Sequence, residues 1–498
     1  MGGVARNPRD EALATGTLAG LPNAHFIDGA WVAPSAGRMM DSVDPGNGKV
    51  FARFASGDAA DIDKAVASAR KAFAGEWRRM VPAGRGRILA QAAALLRAQA
   101  ERFAVAETLD SGKRLLEARG DVAGAARAFE YYAGACDKMQ GDSIPLGPDY
   151  LAYTTLEPVG VAAQIVPWNY PISTLARGVA PALAVGNCVV AKPAEQTPMT
   201  ALMLAELLHA AGLPAGVFNV VTGTGKDAGA PLVAHPDINH ITFTGSVATG
   251  QSVMRAAAAN VTRLVLELGG KSPLVVLDDA DLDAAVDGVL GGIYENAGQI
   301  CSAASRLIVD RRVHAAMLER LVARVAKMRL GHGLGDADMG PLISPEQRNR
   351  VAGFVDRARA RGVSVACGGH AAADPETGLG WFYEPTILDA LKPDDEAVTE
   401  EIFGPVLAVQ IADDADHAVA LANFTRYALV AGVYTSDFAR AHRLAAAIDA
   451  GQVYINEYFA GGIETPFGGN RHSGFGREKG LEALRSYAKL KSVAARIG

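Results

Sequence analysis

Short apolar runs bounded by glycine, proline and polar turns alternate with helix-periodic segments along much of the chain, which predicts parallel strands joined by crossover helices. The clearest stretch begins at Asn187-Cys188-Val189-Val190-Ala191, an apolar run of buried-strand length. Thr197-Pro198 predicts an N-cap and a first-turn proline for a helix that Gly212-Leu213-Pro214 ends. Two more strands are expected at 217–221 and 240–243, separated by a turn rich in Gly and Thr and by a short helical segment, which completes a βαβαβ unit. Over 281–297, Leu282, Ala285, Val286, Val289, Leu290 and Ile293 fall on one helical face and predict a core-facing helix. The loop ending it carries Gly298-Gln299-Ile300-Cys301, so irregular backbone is expected to hold Cys301 at the mouth of a cleft. Residues 150–158 and 489–495 read as extended segments remote from the βαβαβ unit, unpaired strands of the kind that pair with another subunit.

A chain of 498 residues exceeds what one core fills, so two or three domains are expected. Nearly half the residues are hydrophobic and 20% are charged, the balance of a globular protein. The net charge of −6 is spread without a basic stripe, which argues against a nucleic-acid partner. Cys136, Cys188, Cys301 and Cys367 have no zinc or CxxC spacing, so neither a metal nor a disulfide framework is expected. The first twenty residues lack the apolar core of a signal peptide, and no window reaches membrane-span length. A cytoplasmic protein with no membrane partner is the expectation.

Chemistry enters at five places. Thr244-Gly245-Ser246 with Gly250 opens a helix directly after a strand, a place where a pyrophosphate is attracted, although such a start is also common without a ligand. Lys192-Pro193-Ala194-Glu195 lies at the carboxyl end of its strand, where a cation and a carboxylate can meet a ribose. An acidic Glu195 accepts from a free 2′-hydroxyl and repels a 2′-phosphate, favouring NAD over NADP. Cys301 is a nucleophile candidate on its loop, whereas the other three cysteines read as small buried hydrophobes. Glu267 sits in the apolar run Leu264 to Leu268, where desolvation would raise its pKa toward general-base duty. Asn169, within Pro167-Trp168-Asn169-Tyr170-Pro171, could donate its amide to an oxyanion or be a plain turn residue.

Taken in order, these segments resemble the aldehyde dehydrogenase superfamily. The runs that carry the resemblance are Val166-Pro167-Trp168-Asn169-Tyr170-Pro171, Lys192-Pro193-Ala194-Glu195-Gln196-Thr197-Pro198, Phe243-Thr244-Gly245-Ser246, Leu266-Glu267-Leu268-Gly269-Gly270-Lys271, Gly298-Gln299-Ile300-Cys301, Glu401-Ile402-Phe403-Gly404-Pro405 and Pro466-Phe467-Gly468-Gly469. The resemblance implies an α/β subunit in three parts: a Rossmann-type parallel-sheet NAD-binding domain over 1–137 and 159–266, an α/β catalytic domain over 267–470, and a β oligomerisation arm over 138–158 and 471–498. It implies NAD held by Lys192 and Glu195 at the ribose, by Gly245 and Ser246 at the pyrophosphate, and by Glu401 and Phe403 at the nicotinamide half, with Val166, Pro167, Trp168 and Leu268 beside it. Cys301, Glu267 and Asn169 take the catalytic positions, and oxidation of an aldehyde to its acid by way of a hydrolysed thioester is implied. A homo-oligomer, dimer or tetramer, is implied too.

By position in the family pattern, Tyr170, Thr174, Arg177, Ile300, Ser302, Phe459 and Phe467 line the aldehyde tunnel. Betaine aldehyde enzymes generally carry Trp where Arg177 stands, so a quaternary-ammonium cage is not expected. An aryl or medium-chain aldehyde is expected instead, with room for a polar or acidic tail. Two other classes compete: a cofactor-free cysteine acyl hydrolase, which saturable NAD binding would exclude, and a binding protein that keeps the fold without the chemistry.

Overall fold

The computed structural model describes residues 7–498; the first six residues of the expected NAD-binding domain lie outside the described residues. Five parallel strands form the centre of an eight-stranded sheet, in the spatial order Phe218–Val220, Cys188–Lys192, Val161–Ile165, His240–Thr244 and Arg263–Glu267. Counted along the chain that order is 3-2-1-4-5, and it reverses between Val161–Ile165 and His240–Thr244. Such a reversal opens a crevice at the carboxyl ends of the strands. Cys188–Lys192 and His240–Thr244 are buried at every residue, because helices cover both faces of a parallel sheet. Antiparallel strands close its ends: His25–Ile27 on one side and, on the other, the two-residue strand Gly474–Phe475, which pairs with Leu266 and Glu267.

A second, seven-stranded sheet is mostly parallel, with Arg306–Asp310, Pro273–Val276 and Val430–Tyr434 at its middle. Its own core, from Leu274 to Phe467, is separate from the large core around the first sheet. Among the described residues, no helix is long and apolar enough to cross a membrane.

Three local expectations change. Thr197 does not cap the helix Met199–Ala210; its hydroxyl has no partner among the described residues, and the Met199 N–H donates instead to Asp110 at 2.8 Å. A remote carboxylate has taken the capping duty that local sequence assigned to Thr197. The helix expected to reach residue 297 stops at Tyr294, and Asn296, Ala297 and Gly298 follow with left-handed φ of 46°, 52° and 72°. The extended segments are not unpaired, since Tyr150–Pro158 pairs antiparallel with Ala488–Arg496 along its whole length. The outer edge of Ala488–Arg496 has no strand partner among the described residues.

Arg306 links the second sheet to the loops around it. Its side chain is fully buried and donates to the carbonyls of Lys271, Leu421 and Ala422 at 2.8, 2.8 and 2.9 Å. Burial pulls its pKa down to about 9. Arg306→Met leaves three buried acceptors without a donor, and we expect a loss of roughly 3 kcal/mol or more. Differential scanning fluorimetry should show a melting temperature lowered by about 6 °C; an unchanged value would contradict the role.

Candidate active site

Four strand ends meet at one edge of the eight-stranded sheet. After Val161–Ile165 the chain runs through Val166, Pro167 and Trp168 to Asn169; after Cys188–Lys192 comes Glu195; after His240–Thr244 come Gly245 and Ser246; after Arg263–Glu267 comes Leu268. Lys192 is buried and pairs with Glu195 at 3.0 Å, while burial lowers its pKa. Ser246 caps the helix Val247–Ala258, its Oγ accepting from the Thr249 N–H at 3.2 Å. The Thr244 hydroxyl is buried at the cavity wall with no hydrogen-bond partner among the described residues. An orphaned hydroxyl beside a helix N-terminus fits a ligand that brings its own acceptors.

Glu401 and Phe403 approach the same edge from the second sheet. Glu401 Oε1 accepts from the Gly270 N–H at 3.0 Å, and burial pushes its carboxyl up to about 7. Phe403 holds φ +61°, fixed by Gln347 donating to its carbonyl at 2.7 Å, and its ring meets Trp168 edge to face at 5.3 Å.

Cys301 follows the left-handed turn. Gln299 anchors that turn, donating to the Asn296 carbonyl at 3.1 Å and accepting from the Ile343 N–H at 2.9 Å. Gly298 must lack a side chain, because a Cβ there would sit 2.2 Å from the Gly404 carbonyl oxygen. Asn169 Nδ2 donates to the Gln299 carbonyl at 2.9 Å, which commits one of its two amide protons and leaves the other. Neither that proton nor the Cys301 N–H has a partner among the described residues. The half-buried Cys301 thiol is pushed up to about 11 by burial, with the Arg177 guanidinium opposing the shift.

A cavity of 450 Å³ opens over this cysteine. All seven residues expected in the tunnel, Tyr170, Thr174, Arg177, Ile300, Ser302, Phe459 and Phe467, lie on its wall, together with Asn169 and Thr244. Glu267 does not line it. It is 2% exposed, and its carboxyl abuts Gly468, next to Phe467 on the wall. Burial, and then the charge of Glu478, raise its pKa well above the usual carboxylate range, while Arg177 works the other way. Neither of its oxygens has a hydrogen-bond partner among the described residues.

Several functional neighbours escaped the sequence reading. Glu478 pairs with the expected Arg177 at 2.8 Å, and the Arg177 guanidinium stacks on Phe467 at 5.1 Å from the ring centre. Lys479, Asp121 and Glu295 also line the cavity. Ser473 ties the turn after Glu267 to the C-terminal segment: its carbonyl accepts from the Leu268 N–H at 3.0 Å and its hydroxyl donates to the Gly269 carbonyl at 2.8 Å. The charged run Arg477-Glu478-Lys479 between Gly476 and Gly480 was the available signal.

The pattern of the "Aldehyde dehydrogenase family" matches residues 31–493. The chain belongs to the aldehyde dehydrogenase family. A betaine aldehyde dehydrogenase of Rhizobium leguminosarum bv. trifolii is 42% identical over 478 residues, covering 95% of this chain and 97% of that protein. An aldehyde dehydrogenase of Aspergillus niger is 40% identical over 479 residues, with 96% of each chain covered. Among solved structures, betaine aldehyde dehydrogenase from Staphylococcus aureus in complex with NAD+ superposes with a TM-score of 0.96 at 37% identity, covering 99% of this chain and 98% of that one. As an aldehyde dehydrogenase, the chain is an α/β oxidoreductase.

Proposed function

We propose that this aldehyde dehydrogenase oxidises an aldehyde to the carboxylic acid with NAD, using Cys301 as nucleophile, Asn169 and the Cys301 N–H as oxyanion donors, and Glu267 as the base for hydrolysis. The observation that carries the reading is the pair of donors without acceptors among the described residues, the second Asn169 amide proton and the Cys301 N–H, on two residues that line the same cavity. Two N–H groups aimed where a carbonyl oxygen becomes negative stabilise the adduct in a site of low dielectric.

Lys192 and Glu195 would hold the adenosine ribose, Gly245 and Ser246 the pyrophosphate, and Glu401 with Phe403 the nicotinamide half, flanked by Val166, Pro167, Trp168 and Leu268. The orphaned Thr244 hydroxyl and the capped helix start support this fit. NAD, when bound, supplies the two-electron acceptor that turns a thiohemiacetal on Cys301 into a thioester.

The chain's own residues account for the remaining steps. Arg177 stabilises the thiolate that attacks the aldehyde carbon, since its guanidinium is the principal influence lowering the Cys301 pKa. The oxyanion of the resulting adduct is received by Asn169 and the Cys301 amide. For hydrolysis, the Glu267 carboxyl turns from Gly468 toward the thioester and takes a proton from water. Its unpartnered oxygens leave no side-chain hydrogen bond to break in that turn.

Aryl or medium-chain aldehydes suit the wall formed by Tyr170, Phe459 and Phe467, and a quaternary ammonium group would meet Arg177 and Lys479 there. The sheet carrying Lys192 supports an NAD-binding part over 1–137 and 159–266, and the second sheet a catalytic part over 267–470. The exposed edge of Ala488–Arg496 supports an arm over 138–158 and 471–498 that builds a homodimer or homotetramer, although Gly474–Phe475 within it joins the first sheet. Free cysteines fit a reducing, cytoplasmic setting.

A panel of aryl and medium-chain aldehydes, followed by NADH absorbance, tests the reading. We expect turnover with NAD at least about tenfold better in kcat/KM than with NADP, because the Glu195 carboxylate repels a 2′-phosphate. Ester cleavage without saturable NAD binding would favour the cysteine hydrolase instead.

A further inference from the structure

Four acidic or basic side chains line the cavity: Asp121, Glu295, Arg177 and Lys479. Three of them are already answered. Asp121 is met by the buried Lys113 ammonium at 2.5 Å. Glu295 lies 3.4 Å from the Tyr170 hydroxyl, and burial with its acidic neighbours Glu117 and Asp121 pushes its carboxyl up to about 7, which weakens it as an anion. Arg177 is paired with Glu478.

Lys479 is different. Among the described residues it has no carboxylate in salt-bridge range and no hydrogen-bond acceptor, although it sits on the cavity wall. Its ammonium lies 5.3 Å from the centre of the Phe467 ring, and the Arg177 guanidinium lies 5.1 Å from the same centre. The backbone holds it there: Glu478 and Phe467 exchange two hydrogen bonds, at 2.7 and 2.8 Å, and Lys479 itself has φ +60°. A non-glycine residue adopts that conformation only when its surroundings impose it. Burial, then the charge of Arg177, pull the lysine down to about 8, which still leaves it mainly an ammonium at neutral pH. The unanswered charge on the wall is therefore positive, and it sits beside the aromatic lining.

Resting on the oxidation proposed above, we propose that Lys479, with Arg177 beside it, receives a carboxylate at the far end of the aldehyde. The preferred substrates are then ω-carboxylated aldehydes, and the products dicarboxylates. An anionic tail gains a charge-assisted hydrogen bond from an ammonium that has no other partner among the described residues, whereas a cationic tail meets Asp121, already paired with Lys113, and Glu295, whose negative charge is weakened by its raised pKa.

The test compares matched aldehydes in the intact enzyme with NAD: 5-oxopentanoate, pentanal and 4-(trimethylammonio)butanal. We expect 5-oxopentanoate to exceed pentanal in kcat/KM by about tenfold to a hundredfold, mainly through KM. Lys479→Met should erase that ratio, and Lys479→Arg should keep most of it. Equal or better use of pentanal, best use of the trimethylammonium aldehyde, or a ratio that survives Lys479→Met would each overturn the assignment. The substrate comparison in the unaltered enzyme needs no variant to fold. A second arm is independent of turnover: glutarate should protect Cys301 from iodoacetamide more strongly than pentanoate does, and equal protection would overturn the assignment. If no aldehyde yields NADH, the oxidation reading fails, and the protection arm alone then decides whether Lys479 binds a carboxylate.

Discussion

Cys301→Ser should form NADH at least about a thousandfold more slowly than the unaltered enzyme, while its melting temperature and its saturable NAD binding stay in place. Burial already holds the thiol up at about 11 against the pull of Arg177, so only a small fraction is thiolate at neutral pH. A serine hydroxyl starts several units higher and suffers the same burial, which leaves almost no alkoxide. A serine ester would also resist hydrolysis more than a thioester does. Asn169 and the free Cys301 amide remain in the variant, so any residual rate measures what the oxyanion donors achieve alone. Iodoacetamide labelling of the unaltered enzyme adds a check, because its rate should climb with pH toward about 11. Full activity in Cys301→Ser would sink the nucleophile assignment.

Glu267→Gln should separate the two halves of the reaction. Stopped-flow traces are expected to show a burst of NADH near one equivalent per active site, followed by turnover slowed by about 10²–10⁴. The amide keeps the shape of the side chain but cannot take a proton from water. The pH behaviour has a definite sign. Burial, and secondarily the charge of Glu478, raise the Glu267 pKa above the ordinary carboxylate range, so the ionised base becomes more abundant as pH rises. Steady-state turnover of the unaltered enzyme should therefore increase with pH through that raised value and fall below it. In Glu267→Gln the slow turnover should lose this limb, whereas the burst should keep the dependence set by the Cys301 thiol. Equal loss of burst and turnover would show that Glu267 serves the first half-reaction as well.

What sequence revealed and what it hid follow a physical divide. Cys188–Lys192 is legible because a parallel strand covered on both faces must be apolar throughout, and Ser246 is legible because helix capping is local. The seven residues assigned by position in the family pattern all line one cavity. Contacts between distant positions were hidden. Asp110 replaces Thr197 as the partner of a helix start 89 residues away, and Tyr150–Pro158 finds Ala488–Arg496 across the length of the chain. Asp121 escaped notice because an acid within a helix reads as part of a solvated face. Glu478 and Lys479 escaped because they follow Cys301 by more than 170 residues and reach the cavity only when the C-terminal segment folds back.

That return has a consequence for how the enzyme is made. A nascent chain that has emerged as far as residue 460 already contains Cys301, Glu267 and Asn169, yet the strand Gly474–Phe475 that pairs with Leu266 and Glu267 has still to be synthesised. Phe467, the Arg177–Glu478 ion pair and the backbone clasp between Phe467 and Glu478 are missing at that stage too. Long-range pairing of this kind comes late in folding. The ribosome therefore delivers the Cys301 thiol well before its enclosure, and the cavity over it is closed only by residues synthesised after position 460.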